Sequence, residues 1–174
     1  MPGENLTRIE AAERAALVSV HSYDVTLDLT TSDRTFRSVT TVKFACNAPG
    51  ASTFIDAITD KVHAVTLNGV ELDPAVVADN VRIELDGLQA ENVLTVDADA
   101  LFMNTGEGLH RFVDPVDNEV YLYSQFEVPD SRRMYAVFEQ PDLKATFKFT
   151  VKKGTVKVKV TVDGKDYLKS VTVK

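Results

Sequence analysis

Hydrophobic and polar positions alternate with a period of two along most of the chain. In residues 20–30 the apolar side chains fall on one face and Asp24, Thr26 and Asp28 fall on the other. Residues 35–46 repeat the alternation after a polar turn. This pattern is typical of antiparallel strands with one buried face. The apolar face of the first strand consists of Tyr23, Val25, Leu27 and Leu29.

Shorter alternating runs continue to about residue 151, with turn residues between them. Asn68-Gly69 is the strongest hairpin signal, because both positions tolerate a positive φ. Closely spaced turn signals are typical of an all-β fold built as an antiparallel sandwich or as saddle-like curved sheets. We therefore predict an all-β domain. Its further strands are expected at residues 52–58, 61–67, 70–72, 81–85, 91–96, 121–128 and 145–151.

One short helix is expected before the first strand. Thr7 and Glu10 have the spacing of a capping box, in which each side chain accepts a hydrogen bond from a backbone amide at the helix start. Residues 11–17 are mostly strong helix formers. The sequence predicts a helix over residues 8–17 and no other long one.

The last residues differ from the rest of the chain. Residues 151–174 contain seven lysines and only two acids, whereas the whole chain has a net charge of −7. Valine and lysine alternate over residues 154–162, and Asp163-Gly164 predicts a turn into a returning strand at residues 167–173. We predict a β domain over residues 1–151 and a β-hairpin extension over residues 152–174, either in the same sheet or as an appendage.

Composition excludes several classes of function. The net charge of −7 argues against general nucleic-acid binding. No apolar run is long enough for a membrane helix, and the first residues lack a secretory signal pattern, so no membrane partner and a cytoplasmic location are expected. Cys46 is the only cysteine, and its position in an alternating strand indicates a small buried hydrophobic residue.

The most informative stretch is residues 121–127, Tyr-Leu-Tyr-Ser-Gln-Phe-Glu. In a strand, Gln125 and Glu127 would share one face with Tyr121 and Tyr123. An amide and a carboxylate beside two phenols suit the binding of a cationic group. Simple exposure of both residues to water is the alternative that spacing alone leaves open.

Residues 124–127, two arginines at 132 and 133, and Phe138-Glu139-Gln140-Pro141-Asp142-Leu143-Lys144-Ala145 resemble a run in zinc aminopeptidases of the aminopeptidase N (gluzincin) type. The stretch Gly106-Glu107-Gly108-Leu109 resembles the same family. The resemblance covers residues 5–151 and places them in that family's N-terminal β domain. It implies that Gln125 and Glu127 belong to a Gln-x-Glu element that binds the α-ammonium of a peptide N-terminus. The tail does not resemble the family, so we expect a substituted or engineered end, with an expression artefact or a natural divergent end as the alternative.

The catalytic residues of such enzymes are missing from this sequence. Family members hold zinc with His-Glu-x-x-His on a helix and a downstream Glu. His21, His63 and His110 do not have that spacing. We therefore expect no catalytic residue, no metal ligand and no cofactor in this chain. Zinc would belong to the parent enzyme, and this polypeptide alone would be inactive.

The leading hypothesis is the substrate-binding N-terminal domain of a zinc metallo-aminopeptidase, a hydrolase that removes N-terminal residues from peptides. The resemblance implies two partners, a peptide N-terminus and the catalytic domain of the parent enzyme. The alternatives are a stand-alone β-sandwich module that binds protein or carbohydrate, and an engineered scaffold. A module would need an exposed aromatic patch elsewhere, and the chain has no Trp.

Overall fold

The computed structural model describes residues 5–152 in full, and the backbone of two further strands at residues 154–162 and 165–173. About half of the chain is strand, so the all-β prediction is confirmed. The predicted Asp163-Gly164 turn lies outside the described residues. The elements in chain order are α1 (Arg8–Leu17), β1 (Val18–Asp28), β2 (Thr35–Cys46), β3 (Thr53–Asp56), β4 (Lys61–Leu67), β5 (Val70–Leu72), α2 (Pro74–Val77), β6 (Arg82–Leu85), β7 (Glu91–Leu101), β8 (Gly108–Val113), β9 (Val120–Gln125), a 3-10 turn (Ser131–Arg133), β10 (Thr146–Lys152), β11 (Gly154–Val162) and β12 (Lys165–Val173).

The main sheet has six strands in the order β10-β1-β2-β7-β4-β5. All neighbours in it are antiparallel except β1 and β10, which are parallel. The predicted antiparallel arrangement is thus confirmed in this sheet except for the parallel pair at its edge. After β1 the chain passes through the other strands of the sheet, the β8–β9 hairpin and the 3-10 turn before it reaches β10, and such a long connection permits a parallel pair.

A second layer consists of the β3–β6 pair and the segment of residues 134–138. Asp56 and Val137 exchange two backbone hydrogen bonds, of 2.9 and 3.0 Å, which join the segment to β3. Phe44 of the main sheet meets Phe138 edge to face, with ring centroids 5.2 Å apart. Burial of these apolar side chains between the layers is the main source of stability. Cys46 is buried in the same core, as its position predicted.

The predicted helix is confirmed. Thr7 Oγ1 accepts from the Glu10 amide at 3.2 Å, and Glu10 Oε2 accepts from the Thr7 amide at 2.8 Å, which completes the capping box. The Asn68-Gly69 turn is confirmed as well, with φ of 53° and 82°. Helix α2 is a single additional turn.

Strand β7 is longer than residues 91–96, because it pairs with β2 on one side and with β4 on the other. Its acidic end is held there by Arg37, which lies within 3.4 Å of Asp99 and within 2.8 Å of Asp97. These cross-strand ion pairs therefore help to keep residues 97–101 in the strand, beyond its predicted end at residue 96.

Strands β11 and β12 pair with each other as a two-stranded antiparallel sheet. The domain boundary at residue 151 stays a prediction. Neither α1 nor α2, the helices of the described part of the chain, is long and apolar enough to cross a membrane.

Candidate functional site

Gln125 lies at the end of a two-stranded hairpin formed by β8 and β9. The strands pair in register from Gly108 opposite Gln125 to Val113 opposite Val120. The turn at residues 114–118 closes with a hydrogen bond of 2.8 Å from the Asn118 amide to the Asp114 carbonyl. The side chain of Gln125 is exposed, on the same face as Tyr121 and Tyr123. The prediction that these three residues share a face is confirmed.

Glu127 does not lie in the strand, so its predicted place on the same strand face is wrong. Strand β9 ends at Gln125, opposite Gly108, where β8 begins. Gly108 has a φ of +57°, a left-handed conformation that turns the partner chain away from an extended path, so no ladder exists beyond it. Glu127 is exposed in the loop that follows, and its carbonyl accepts from the Asp130 amide at 2.8 Å. Gln125 and Glu127 therefore remain near neighbours, but a loop rather than a strand positions the carboxylate.

Arg133 contacts both this loop and the turn at the start of the hairpin. Arg133 Nε lies 3.3 Å from Asp130 Oδ1 and 3.6 Å from Glu107 Oε2. Its side chain also packs against Gly108, where an added Cβ would come within 2.9 Å of Arg133 Cβ. The arginine therefore contacts both the turn before β8 and the loop after Glu127.

The motif at residues 138–142 holds the loop from the other side. Glu139 Oε2 accepts from the Arg132 amide at 2.7 Å and from the Ser131 hydroxyl. The amide of Glu139 donates to Asp56 Oδ2 at 3.0 Å. Its carboxylate is thus used within the domain, in anchoring the 3-10 turn. The sequence offered no signal for this role, because Ser131 and Glu139 are brought together only by the intervening fold.

Exposed apolar side chains line the hairpin that ends at Gln125 and the loop that carries Glu127. They lie on both faces of the hairpin and in the adjacent loop, and they are exposed by more than a third of their surface. Large exposed apolar side chains concentrated on one hairpin and its loop favour an interaction site. The hairpin surface consists of Phe112, Val113, Val116, Val120, Tyr121, Tyr123, Phe126 and Val128.

The ring of Phe126 joins this surface to the main sheet. It meets Tyr135 edge to face at 5.9 Å, and Tyr135 in turn meets Phe147 and Phe149 of β10 at 6.1 and 5.4 Å. Both phenylalanines are about half exposed. Burial raises the pKa of Tyr135 to about 12, so its hydroxyl stays protonated at neutral pH.

The three histidines have separate surroundings. His21 pairs with Glu91 at 3.2 Å and His63 pairs with Asp99 at 2.7 Å. His110 stacks on Tyr123, and its Nδ1 accepts a hydrogen bond from the Gly106 amide at 3.0 Å. Within the described residues, no three His, Cys, Asp or Glu side chains form a group that fits a metal ion.

Comparisons with known proteins place the chain in a family. The family model of the peptidase M1 N-terminal domain matches residues 19–162. Aminopeptidase N of Streptomyces lividans is 59% identical over 155 residues. That match covers 87% of this chain and 18% of the relative, so the chain spans less than a fifth of the relative's length.

Solved structures share the fold. Leukotriene A4 hydrolase from Saccharomyces cerevisiae matches 96% of this chain and 31% of its own, with a TM-score of 0.66 and 13% identity. An aminopeptidase A from Legionella pneumophila, in complex with aspartic acid, matches 84% and 18%, with a TM-score of 0.66 and 14% identity. A mutant M1 zinc metallopeptidase from Deinococcus radiodurans matches 90% and 39%, with a TM-score of 0.61 and 17% identity. The chain therefore belongs to the family of peptidase M1 N-terminal domains.

Proposed function

We propose that this domain forms the substrate-recognition wall of a zinc metallo-aminopeptidase, an enzyme that removes N-terminal residues from peptides. Gln125 and Glu127 bind the free α-ammonium of the substrate. The observation that carries the proposal is that both side chains are exposed at the end of a hairpin and are bordered by exposed apolar residues.

The chemistry of the two side chains suits an ammonium group. A carboxylate accepts a charge-assisted hydrogen bond from an amine, and the amide oxygen of Gln125 accepts a second. A bond of this kind stabilises a complex by about 1.5–3 kcal/mol when water is excluded. An internal peptide bond has no ammonium to offer, so the same contact selects the N-terminus of a peptide.

The apolar surface supports a second partner, the catalytic domain of the parent enzyme. The relative is more than five times as long as the matched region, so most of such an enzyme lies outside that region. Docking of that part on the hairpin surface would remove water from around Glu127. Electrostatic contacts strengthen in a water-poor site, so docking would raise the affinity for an ammonium.

Zinc and the general base would then belong to the remainder of the enzyme. The described residues do not form a three-ligand site. No catalytic step is assigned to this chain, which we propose to be inactive by itself. We also propose that its location is the cytoplasm and that neither nucleic acid nor a membrane is its partner. The net charge of −7 supports the absence of a nucleic-acid partner.

A chimeric enzyme tests the role of Glu127. In it, residues 5–151 of this chain replace the matching region of the Streptomyces lividans relative. We expect Glu127→Ala to lower kcat/KM for an aminoacyl anilide by about 10- to 100-fold, the loss of one charge-assisted hydrogen bond. Glu119→Ala is the matched control, since Glu119 is an exposed carboxylate at the tip of the same hairpin. Equal activity of the two variants would refute the proposal.

Experiments on the isolated chain test the proposals that it holds no zinc and is inactive by itself. We expect a metal-clean sample to retain no stoichiometric zinc and to release no chromophore from the anilide. Zinc retained at one ion per chain would overturn the assignment of the metal to the remainder. A stand-alone binding module is less well supported, because the exposed Tyr123 and Phe126 flank Gln125 and Glu127 themselves.

A further inference from the structure

We propose that Arg133 is a positioning residue that fixes Glu127 relative to Gln125 and so sets how strongly the site prefers an ammonium to a neutral group. The inference rests on the proposed function. It concerns a side chain that does not itself touch the substrate.

Arg133 contacts the hairpin at the position that carries Gln125. Gly108 is the residue paired with Gln125, and its Cα faces the Cβ of Arg133. The side chain of Arg133 therefore packs directly behind the ladder position that carries Gln125. The arginine also lies 3.6 Å from the carboxylate of Glu107, the residue before that ladder position.

Arg133 also contacts the loop that follows Glu127. Arg133 Nε lies 3.3 Å from Asp130 Oδ1, and the amide of Arg133 donates to the Asp130 carbonyl at 3.1 Å. The amide of Asp130 in turn donates to the carbonyl of Glu127. Each step is one hydrogen bond or ion pair, so the backbone of Glu127 is connected to Arg133 through a single intervening residue.

Arg133 also reduces the charge repulsion between the turn before β8 and the loop that carries Glu127. Glu107, Glu127 and Asp130 are three carboxylates in the turn and loop that meet at this place. Arg133 pairs with two of them and lowers the repulsion that would otherwise separate the turn from the loop. Since the arginine side chain is 21% exposed, its contacts are partly shielded from solvent. Its removal is expected to free the loop rather than to unfold the domain.

The experiment measures the preference for an ammonium in the chimeric enzyme. The probes are two inhibitors of equal shape, leucine amide and 4-methylpentanamide, which lacks the amino group. The ratio of their inhibition constants gives the preference. The variants are Arg133→Met, Glu127→Gln and Arg111→Met. The last is a matched control, because Arg111 also has a side chain that is 21% exposed and pairs with one carboxylate, Asp33, at 2.7 Å.

We expect Glu127→Gln to reduce the ratio by about 10- to 100-fold through loss of the charge-assisted bond. Misplacement of a recognition group by about 1 Å is costly, so Arg133→Met should reduce it by about tenfold. Arg111→Met should leave it unchanged. If Glu127→Gln lowers the ratio and Arg133→Met does not, the inference fails and the proposed function stands. If Glu127→Gln leaves the ratio unchanged, both fail.

A second measurement, on the isolated chain and its Arg133→Met variant instead of the chimera, is independent of activity. We expect amide hydrogen exchange at Asp130 to be faster in Arg133→Met by about tenfold or more, because the loop loses its brace. The exchange of Val25 in the buried strand β1 should not change, which excludes global unfolding as the cause. Equal exchange at Asp130 in the variant and the original chain would overturn the positioning role.

Discussion

Arg14 and Asp56 form a buried ion pair that joins helix α1 to strand β3. Arg14 Nη1 lies 2.7 Å from Asp56 Oδ2, and the two side chains are 1% and 3% exposed. The same guanidinium donates from Nε to Gln140 Oε1 at 3.1 Å, and Asp56 Oδ2 also accepts from the Glu139 amide. The pair thus connects the N-terminal helix to the motif that anchors the loop after Glu127.

Asp56→Asn is expected to destabilise the domain severely. The substitution keeps the shape of the side chain but leaves the charge of Arg14 buried without its counter-ion, which costs about 3–5 kcal/mol in free energy of unfolding. Urea denaturation measures the loss. The matched control is Asp60→Asn, which breaks the exposed pair of Asp60 with Arg34 and should cost less than about 1 kcal/mol. Similar losses in both variants would contradict the assignment.

Glu10 should make stability depend on pH in the acid range. Its hydrogen bonds to Arg82 and to Thr7 lower its pKa from 4.5 to about 2 in the folded chain. The unfolded state therefore binds more protons than the folded state between these values, and stability falls as pH falls through that window. We expect the difference in unfolding free energy between the original chain and Glu10→Gln to be complete above pH 4.5 and to vanish near pH 2.

Urea denaturation across that pH range checks this expectation. Glu13→Gln is the control, because Glu13 is an exposed carboxylate on the same helix. A pH dependence that is the same for both variants would show that the capping box and Arg82 are not its source.

Gly108→Ala should cost more than Gly87→Ala, although both glycines have a similar positive φ of +57° and +64°. At Gly87 nothing lies within 4 Å of an added Cβ, so only the conformational strain of about 1 kcal/mol applies. At Gly108 the new methyl group would meet Arg133 Cβ at 2.9 Å, and the arginine would have to move. We expect an additional loss of about 1–3 kcal/mol, measured by urea denaturation. Equal losses of unfolding free energy in the two variants would mean that the hairpin accommodates the methyl group beside Arg133 without further loss of stability.

Val128→Ser tests the hairpin surface. Val128 is 59% exposed, so in the isolated chain the substitution should change the unfolding free energy by less than about 0.5 kcal/mol. In the chimeric enzyme the same side chain would be covered, and its loss should destabilise the enzyme by about 1 kcal/mol or more. Val76→Ser, at a position on α2 that is 79% exposed, should be neutral in both proteins. A neutral effect of Val128→Ser in the chimera would place the catalytic domain elsewhere.

The sequence by itself determined the elements whose signals are local. The capping box at Thr7 and Glu10 and the alternation in residues 20–30 and 35–46 depend on neighbours close in the chain. Helix α1 and strands β1 and β2 were therefore predictable, as was the shared face of Tyr121, Tyr123 and Gln125. The resemblance also placed the chain in its family.

Only the tertiary structure decided the relations between distant residues. That β10 runs parallel to β1 depends on the path of more than a hundred intervening residues. That β9 ends at Gln125 depends on Gly108, the residue at which the partner strand begins. The contact of Arg133 with Glu107 forms because two segments that are distant in the chain fold together. Periodicity in the sequence does not predict such contacts between distant residues, because packing sets their geometry.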